Sequence, residues 1–213
     1  MTTVKTFTLN PFQVNTYIVY DETFECIIID AACTDKTEEA RLDEFIFANN
    51  LKPVLLLSTH THVDHIPGND YIIKKYKIPY KIHEEGTGFL HSAKGYALGF
   101  GFPLGEVALP TGYITEGELI RFGNTELKVL YTPGHANGSV CFYCESADFV
   151  LAGDVLFCGG IGRTDLPTGN HSLLLKNIHE KLLTLPEHTT VYCGHGPNTT
   201  IGNEKKHNPF LAN

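Results

Sequence analysis

The sequence predicts an α/β fold in which two β-sheets pack together and helices cover them. Short apolar runs bounded by polar residues or Pro, such as 26–29 and 53–57, are typical of buried strands. Between them, residues 36–50 carry apolar side chains at helical spacing, and strands followed by a helix return after residue 118. The chain has 213 residues, enough to bury a substantial core, and we expect one domain spanning 1–213.

The first half of the chain begins with strands and continues with helices that alternate with strands. In the predicted helix at 36–50, Leu42, Phe45 and Ile46 share one face, and acidic residues occupy the first turns, where the helix dipole favours them. The predicted elements are strands at 3–8, 15–20 and 25–30, the helix at 36–50, a strand at 53–58, a helix near 69–76 and a strand at 80–83.

Glycine and aromatic residues are interleaved between about 86 and 113, and here the regular pattern ends. The aromatic residues of this stretch are Phe89, Tyr96, Phe100, Phe102 and Tyr113. A long connection within a domain is usually functional or mobile. Two interpretations stay open: a flap over the active site that offers aromatic side chains to an apolar part of the substrate, and a packed structural loop.

Strands are predicted again in the second half of the chain. They lie at 118–122, 126–131, 139–144 and 149–153, and a last strand lies at 190–193. A helix is predicted at 171–184, with Leu173, Leu174, Ile178 and Leu182 on its core face. The order of elements therefore repeats that of the first half, which is why we expect two sheets.

Composition and charge exclude several classes of function. A net charge of −8 argues against electrostatic binding of nucleic acid or an anionic membrane. No apolar run approaches the ~20 residues of a membrane span, and the N-terminus lacks the apolar core of a signal peptide. We therefore expect a cytoplasmic protein with reduced thiols. Cys141 and Cys144 would face opposite sides of a strand, so we interpret them as strand residues rather than a metal or redox pair.

A dense group of potential metal ligands follows the predicted strand at 53–58. Three histidines and one aspartate, namely His60, His62, Asp64 and His65, fall within six positions. They lie where the chain leaves the C-terminal end of a strand, the edge at which α/β folds place their ligands. Alternation directs His60 and His62 to the same side, and imidazole with carboxylate suits Zn, Fe or Mn. Four ligands in so short a segment crowd one ion, so the sequence predicts two.

Three further candidate ligands each follow a later predicted strand. They are His135, Asp154 and His195, and each is preceded by a glycine, which lets the backbone turn sharply at the sheet edge. Each Gly-His or Gly-Asp pair is a weak signal by itself. Together with the first group, they disfavour the alternative in which 60–65 is only a His-rich surface loop.

These motifs resemble those of the metallo-β-lactamase superfamily, and the resemblance covers nearly the whole chain. Residues 60–65 match its H-x-H-x-D-H motif in full. The resemblance implies a four-layer αββα sandwich of two mixed sheets flanked by helices. It also implies two metal sites, the first formed by His60, His62 and His135, the second by Asp64, His65 and His195, with Asp154 bridging them.

Within that superfamily the chain is similar to the glyoxalase II-like (hydroxyacylglutathione hydrolase-like) branch of the short bacterial type. Residues 153–157 and 160–163 resemble that branch's G-D-x-L-F…G-x-G-R signature, and the ending Asn208-Pro209-Phe210-Leu211 resembles the short bacterial members. Residues 162–165, Gly-Arg-Thr-Asp, are also similar to the persulfide dioxygenase branch, which uses one iron. Only a short segment follows His195, so we expect the helical domain with which glyoxalase II holds glutathione to be absent.

The resemblance implies a dinuclear metal hydrolase that acts on a small-molecule thioester such as S-lactoylglutathione. A hydroxide that bridges two divalent ions would attack the carbonyl, with Asp154 holding the ions and Asp64 orienting the hydroxide. Zinc is the first expectation, and the same ligands accept iron or manganese. Two alternatives stay open: a mononuclear iron persulfide dioxygenase and a catalytically silent binding module of the same fold.

Arg163 and His171 are the candidate substrate contacts. Arg163 would bind a substrate carboxylate or form an ion pair with Asp165, and we favour the ion pair. His171 follows the Gly-Arg-Thr-Asp segment and begins the predicted helix at 171–184. We expect no nucleic acid or membrane partner, and the sequence predicts no oligomeric state.

Overall fold

Two six-stranded mixed sheets, each with helices on its outer face, form the fold of this chain. The computed structural model describes residues 1–211. The strands are β1 (Thr3–Leu9), β2 (Val14–Tyr20), β3 (Glu25–Ile29), β4 (Lys52–Leu57), β5 (Tyr80–His83), β6 (Gly112–Ile114), β7 (Leu119–Phe122), β8 (Thr125–Tyr131), β9 (Val140–Cys144), β10 (Phe149–Gly153), β11 (Leu156–Phe157), β12 (Gly160–Ile161), β13 (Thr190–Cys193) and β14 (Thr199–Thr200). The helices are α1 (Lys36–Ala48), α2 (Asn69–Tyr76), α3 (Thr87–Gly99), α4 (His171–Asn177) and α5 (Ile201–His207).

The two sheets are mixed, and their strand orders differ. The first sheet has the order β1-β2-β3-β4-β5-β6, antiparallel from β1 to β3 and parallel from β3 to β6. The second has the order β14-β13-β10-β9-β8-β7, with β10 and β13 parallel and the other pairs antiparallel. Strands β11 and β12 form a separate hairpin. The parallel neighbours end at the same edge of their sheet, which is where loops from different strands meet.

Side-chain alternation along the strands produces three apolar layers. In β3, Ile27 and Ile29 face the second sheet and pack with Leu127 of β8, whereas Ile28 faces outward and packs with Leu42 of α1. The outer face of the second sheet is covered in the same way by α4, α5 and the segment between them. Each such side chain contributes about 1.5–3 kcal/mol when fully buried. The predicted αββα sandwich is confirmed.

Helix α1 begins and ends close to its predicted bounds. The Asp35 side chain caps its first turn by accepting hydrogen bonds from the backbone amides of Thr37 and Glu38, at 2.8 and 2.9 Å. Glu38 and Glu39 occupy the first turn, as the sequence indicates. The cap fixes the first residue of α1, which is the helix that connects β3 to β4.

The expectation of an irregular connection over 86–113 is wrong for half of that stretch. Thr87–Gly99 is a helix, α3, which buries Leu90, Ala93 and Ala97 against the first sheet. Glycine lowers helix propensity by about 1 kcal/mol per residue. At Gly88 and Gly95 an added Cβ would contact nothing within 4 Å, so these two glycines lie on the exposed face of the helix. Burial of the opposite face therefore outweighs their low helix propensity.

Other differences concern short elements. The predicted helix at 171–184 is α4 continued by a π-helical segment, Ile178–Leu182. Strands β11, β12 and β14 have two residues each, too few to show periodicity in the sequence. Cys141 and Cys144 face opposite sides of β9, as predicted. Among the described residues, no helix has the length and apolar character that crossing a membrane requires.

Candidate metal centre

All seven candidate ligands lie at one edge of the two sheets, each after the C-terminal end of a strand. Four of them lie in the loop between β4 of the first sheet and α2, namely His60, His62, Asp64 and His65. The other three belong to the second sheet: His135 follows β8, Asp154 follows β10 and His195 follows β13. The structure therefore brings together every residue that the sequence indicated as a ligand.

The first group of side chains is a triad of imidazoles, His60, His62 and His135. Their nitrogen atoms lie within 4.8 Å of one another, and His62 Nδ1 is 3.0 Å from His135 Nε2. Burial lowers the pKa of His60 well below its ordinary value and lowers the pKa of His62 to about 4. These two rings are therefore neutral near pH 7 and present lone pairs, as metal ligands must.

The second triad combines a carboxylate with two imidazoles, Asp64, His65 and His195. Asp64 Oδ2 lies 3.8 Å from His65 Nε2 and 3.4 Å from His195 Nε2. Burial by itself would lower the pKa of both histidines. The carboxylates of Asp154 and Asp64 outweigh burial and raise the pKa of His195 to about 9 and that of His65 well above its ordinary value. A divalent ion that enters this triad must therefore displace protons.

Asp154 lies between the two triads. Its Oδ2 is 3.7 Å from His135 Nε2 and 3.5 Å from His195 Nε2, and its Oδ1 is 3.5 Å from His65 Nε2. Burial would raise the pKa of Asp154, but His65 and the other imidazoles around it hold that pKa well below its ordinary value. One carboxylate thus faces donor atoms of both groups.

Three buried polar atoms of this cluster have no hydrogen-bond partner. They are His60 Nε2, His65 Nε2 and Asp154 Oδ1. Buried polar groups in native proteins almost always have a partner, and leaving one unpaired costs roughly 1–3 kcal/mol. The unpaired atoms are all potential metal donors: His60 belongs to the first triad, His65 belongs to the second, and Asp154 lies between them. The donor set therefore fits bound cations.

Three of the histidines are oriented by acceptors on the side away from the cluster. His65 Nδ1 donates to Asp30 Oδ2 at 3.0 Å, and the Nδ1 atoms of His135 and His195 donate to the backbone oxygens of Arg163 and Phe12, at 2.8 and 2.9 Å. A carboxylate or carbonyl only accepts, so Nδ1 carries a proton and Nε2 is the ring atom that faces the cluster. Such outer hydrogen bonds are typical of metal-binding histidines.

Asp30 accepts a hydrogen bond from one of the candidate ligands, and the sequence analysis did not single it out. It is fully buried, and it accepts hydrogen bonds from His65 and from the amide and hydroxyl of Thr59, at 2.7 and 2.6 Å. The only signal in the sequence is a charged residue directly after the apolar strand at 26–29. Parallel pairing of β3 with β4 then places Asp30 beside Thr59.

The turn between β1 and β2 ties the two halves of the cluster together. The Asn10 side-chain amide donates to the backbone oxygen of Asp64 at 2.8 Å, and the Phe12 oxygen accepts from His195. Three residues on, Asn15 donates from its side chain to the oxygens of Cys193 and Gly196, at 3.0 and 2.9 Å. The loops from the two sheets are therefore held by one short segment.

The glycines before the ligands are required by geometry. Gly153 has φ +50°, and a Cβ there would lie 2.4 Å from Thr59 Oγ1. At Gly194 a Cβ would lie 2.0 Å from Asp154 Oδ1. The sharp backbone turn expected from the sequence explains Gly153, whereas Gly194 is required because the Asp154 carboxylate occupies the space of a side chain.

A cavity of about 600 Å³ opens over the cluster. Arg163 lines it, but its guanidinium forms a bidentate ion pair with Asp165, at 2.8 and 2.6 Å, so the favoured interpretation of Arg163 agrees with the structure. His171 is exposed at the start of α4 and is not among the residues that line the cavity, so its contact with a substrate stays a prediction. Asn170, one residue earlier, caps α4 by accepting a hydrogen bond from the Leu173 amide.

Aromatic side chains from the 86–113 stretch face the same cavity. Phe89 and Tyr96 of α3, and Phe100 after it, line the cavity together with the candidate ligands. The aromatic side chains of this stretch therefore do form a wall of the cavity, as the flap interpretation expects. Most of them lie on helix α3 rather than on an irregular loop. The cluster and the apolar wall share one cavity, which is the usual arrangement of a small-molecule site.

Comparison with known proteins places this arrangement in a family. Residues 9–195 match the model of the Metallo-beta-lactamase superfamily. The chain is 41% identical over 204 residues to "Probable metallo-hydrolase YqgX" of Bacillus subtilis, covering 95% of this chain and 94% of that protein. It is 35% identical over 202 residues to "Hydroxyacylglutathione hydrolase GloC" of Haemophilus influenzae, covering 94% and 93%.

Solved structures show the same fold. BLEG-1 B3 metallo-beta-lactamase superposes with a TM-score of 0.91 and 37% identity, covering 99% of this chain and 100% of that one. TTHA1623 in a di-iron-bound form gives 0.87 and 34%, covering 98% and 100%. ETHE1 from Myxococcus xanthus gives 0.80 and 26%, covering 97% and 83%.

Proposed function

Because this chain belongs to the metallo-beta-lactamase superfamily and is a metal-dependent hydrolase of that family, we propose that it holds two divalent ions and hydrolyses thioesters. The observation that carries the proposal is the pair of donor triads on either side of Asp154. Similarity to a hydroxyacylglutathione hydrolase supports the thioester, and similarity to a protein solved in a di-iron-bound form supports two ions.

In this proposal each triad would hold one ion, and Asp154 would serve both. His60, His62 and His135 form the first site, and Asp64, His65 and His195 form the second. The imidazole and carboxylate donors accept zinc, iron or manganese. Zinc is our first choice for the two sites, and the di-iron-bound relative makes iron the alternative that elemental analysis distinguishes.

The chain's own residues account for the rest of the reaction. Two ions held by these residues would polarise the acyl carbonyl and lower the pKa of a nearby water towards ~7. Asp64 lines the cavity, where its carboxylate accepts a hydrogen bond from the attacking water and orients it. The water oxygen bonds to the acyl carbon, the C–S bond breaks, and the thiolate leaves with the electron pair. A thiol has a pKa of about 8.5, so the leaving group needs no general acid from the chain.

The test combines elemental analysis of the purified protein with thioester hydrolysis under nitrogen. We expect about two ions per chain, from the two triads, and release of free thiol without oxygen. Three outcomes would contradict the proposal. One iron per chain with oxygen uptake on glutathione persulfide would favour the dioxygenase reaction, for which the similarity to ETHE1 speaks. Cleavage of a β-lactam alone would favour a lactamase, and a metal-loaded but inert protein would favour a binding module.

Asp154→Ala tests the bridging role directly. We expect this variant to lose bound metal as well as activity, because the carboxylate serves both triads. The matched control is Asp70→Ala, which removes an aspartate of α2 that pairs with Lys74 at the surface and should leave the metal content unchanged. Full occupancy of both sites in Asp154→Ala would rule out a bridging carboxylate.

A further inference from the structure

An aromatic ring borders each triad on the side of the cavity. The Phe89 ring of α3 packs edge-on against His62, with ring centroids 4.8 Å apart and an angle of 88° between the planes. The Phe157 ring of β11 lies 6.3 Å from the ring of His195. The two rings belong to separate elements, helix α3 and the β11–β12 hairpin, so a substrate that reaches either triad passes an apolar wall.

The rim of the cavity is also aromatic. Phe12, in the turn between β1 and β2, and Phe100, after α3, lie edge to face with ring centroids 6.4 Å apart. Their side chains remain 44% and 57% exposed, and Phe102 packs against Phe12 at 5.2 Å. Exposed rings beside one another at a cavity mouth form an apolar patch, which is typical of a ligand-binding surface.

Apart from the candidate metal ligands and the ions proposed there, the cavity offers one cationic side chain to an anionic substrate, and that side chain is already paired. That side chain is Arg163, the only lysine or arginine among the described residues that line the cavity, and its Nε and Nη2 donate to Asp165. A glutathione conjugate carries two carboxylates that need partners. An apolar group needs none, and it gains from covering Phe12 and Phe100.

We propose that the cavity selects an uncharged thioester with an apolar acyl chain or aryl group, rather than a glutathione conjugate such as S-lactoylglutathione. The inference rests on the proposed thioester hydrolysis and names the substrate class of that site. Water adds to the acyl carbon, the C–S bond breaks, and the products are an apolar carboxylic acid and a thiol. Phe12, Phe89, Phe100 and Phe157 surround the apolar group.

A series of acyl groups on one neutral thiol tests the selection. The metal-loaded protein is assayed with acetyl, butanoyl, hexanoyl and benzoyl thioesters of N-acetylcysteamine, and with S-lactoylglutathione and hexanoylglutathione. Burial of one methylene in an apolar site corresponds to a gain of about three- to fourfold. We therefore expect kcat/KM to rise at least about tenfold from acetyl to hexanoyl and to exceed that for S-lactoylglutathione.

The variant Phe100→Ala tests whether the aromatic side chains of the cavity select the acyl group of the substrate. Phe100 is largely exposed and its removal leaves the core intact, so the variant should fold. We expect its ratio of hexanoyl to acetyl kcat/KM to be smaller than that of the unsubstituted protein. The matched control is Leu98→Ala. Leu98 lies on α3, is 84% exposed and does not line the cavity, so this ratio should not change.

The outcomes separate this inference from the proposed function. Hydrolysis of thioesters with no rise along the acyl series, or with S-lactoylglutathione preferred, would overturn the apolar selection and leave thioester hydrolysis standing. An unchanged hexanoyl-to-acetyl ratio in Phe100→Ala would also overturn it. No hydrolysis of any thioester by the metal-loaded protein would refute the proposed function, and the inference with it.

Discussion

Asp30 accepts hydrogen bonds from a candidate ligand and from the residue that begins the ligand segment. His65 donates to one of its oxygens, and the amide and hydroxyl of Thr59 donate to the carboxylate as well. Asp30 has φ +53°, a conformation that Asn also tolerates. Asn therefore offers a replacement of nearly the same shape that lacks the charge and one acceptor atom.

Asp30→Asn should weaken metal binding at the second triad. The NH2 group of Asn replaces one of the two acceptor oxygens of Asp30. It therefore faces either the Thr59 amide, so that two donors oppose each other, or His65 Nδ1, which then loses its orienting acceptor. We expect metal affinity to fall by about 10- to 100-fold, measured by competition with a chromophoric chelator. Asp35→Asn, which changes the exposed cap of α1 in the same way, serves as the control. Equal affinities for Asp30→Asn and the unsubstituted protein would contradict the role given to Asp30.

Residue patterns predicted which candidate ligands come together, but not the residues that support them. His60, His62, Asp64 and His65 are neighbours in sequence, and the other three follow strands, so strand ends alone indicate where all of them meet. The partners of His135 and His195 are backbone oxygens, which any residue could supply. Nothing in the sequence marks a backbone acceptor, because its position depends on how the chain is paired.

At the scale of elements, helices α1 and α2 are joined by a polar cluster around Asp43. Its carboxylate accepts hydrogen bonds from Tyr71 and Tyr76, at 2.5 and 2.6 Å, and from Lys75. Burial would raise the pKa of Asp43, but these hydrogen bonds outweigh it and lower the pKa from its ordinary value of 3.8. The cluster therefore stabilises the folded chain only while Asp43 is ionised.

The Asp43 cluster should lose its contribution in acid. Because the pKa is lower in the folded than in the unfolded chain, the stabilisation is complete above about pH 5 and declines as the pH falls through the folded pKa. We expect Asp43→Asn to lower the free energy of unfolding by about 1 kcal/mol at pH 7 and by less at pH 3. Urea unfolding of the metal-free protein and the variant at both pH values gives the difference. A difference that does not depend on pH would exclude this account.

Elements with a strong apolar period were predictable, and α3 was not. Its sequence alternates Gly with Phe and Tyr, which local propensity assigns to a loop. The deciding contribution is burial of Leu90, Ala93 and Ala97 against the first sheet, a long-range effect that no window of the sequence contains. The short strands of the β11–β12 hairpin depend in the same way on their surroundings.

At the scale of the whole molecule, the candidate metal centre joins the two sheets. Four of its donors follow β4 of the first sheet, and three follow strands of the second. Bound ions would therefore crosslink the sheets at one edge, in addition to the apolar layer between them. A ligand that binds only the folded chain stabilises it by about 2.7 kcal/mol at a hundred times its dissociation constant.

Removal of the metal should lower the thermal stability of the whole chain. Each kcal/mol corresponds to about 2–4 °C for a chain of this length, so we expect chelation to lower Tm by about 5–10 °C. Differential scanning calorimetry with and without a chelator measures the shift. Asp154→Ala, which should already lack metal, is the control and should shift little. Complete loss of metal with an unchanged Tm would show that the ions do not join the sheets.

The turn between β1 and β2 has a consequence for how the chain tolerates change. Exposed turns between antiparallel strands usually accept extra residues. In this turn Asn10 and Gln13 have φ of 56° and 58°, the Asn10 side chain bonds to Asp64, and the Phe12 oxygen bonds to His195. One inserted residue would move both contacts out of reach. The length of this turn, more than the identity of its side chains, should therefore be constrained during evolution, and a library of insertions should be depleted here.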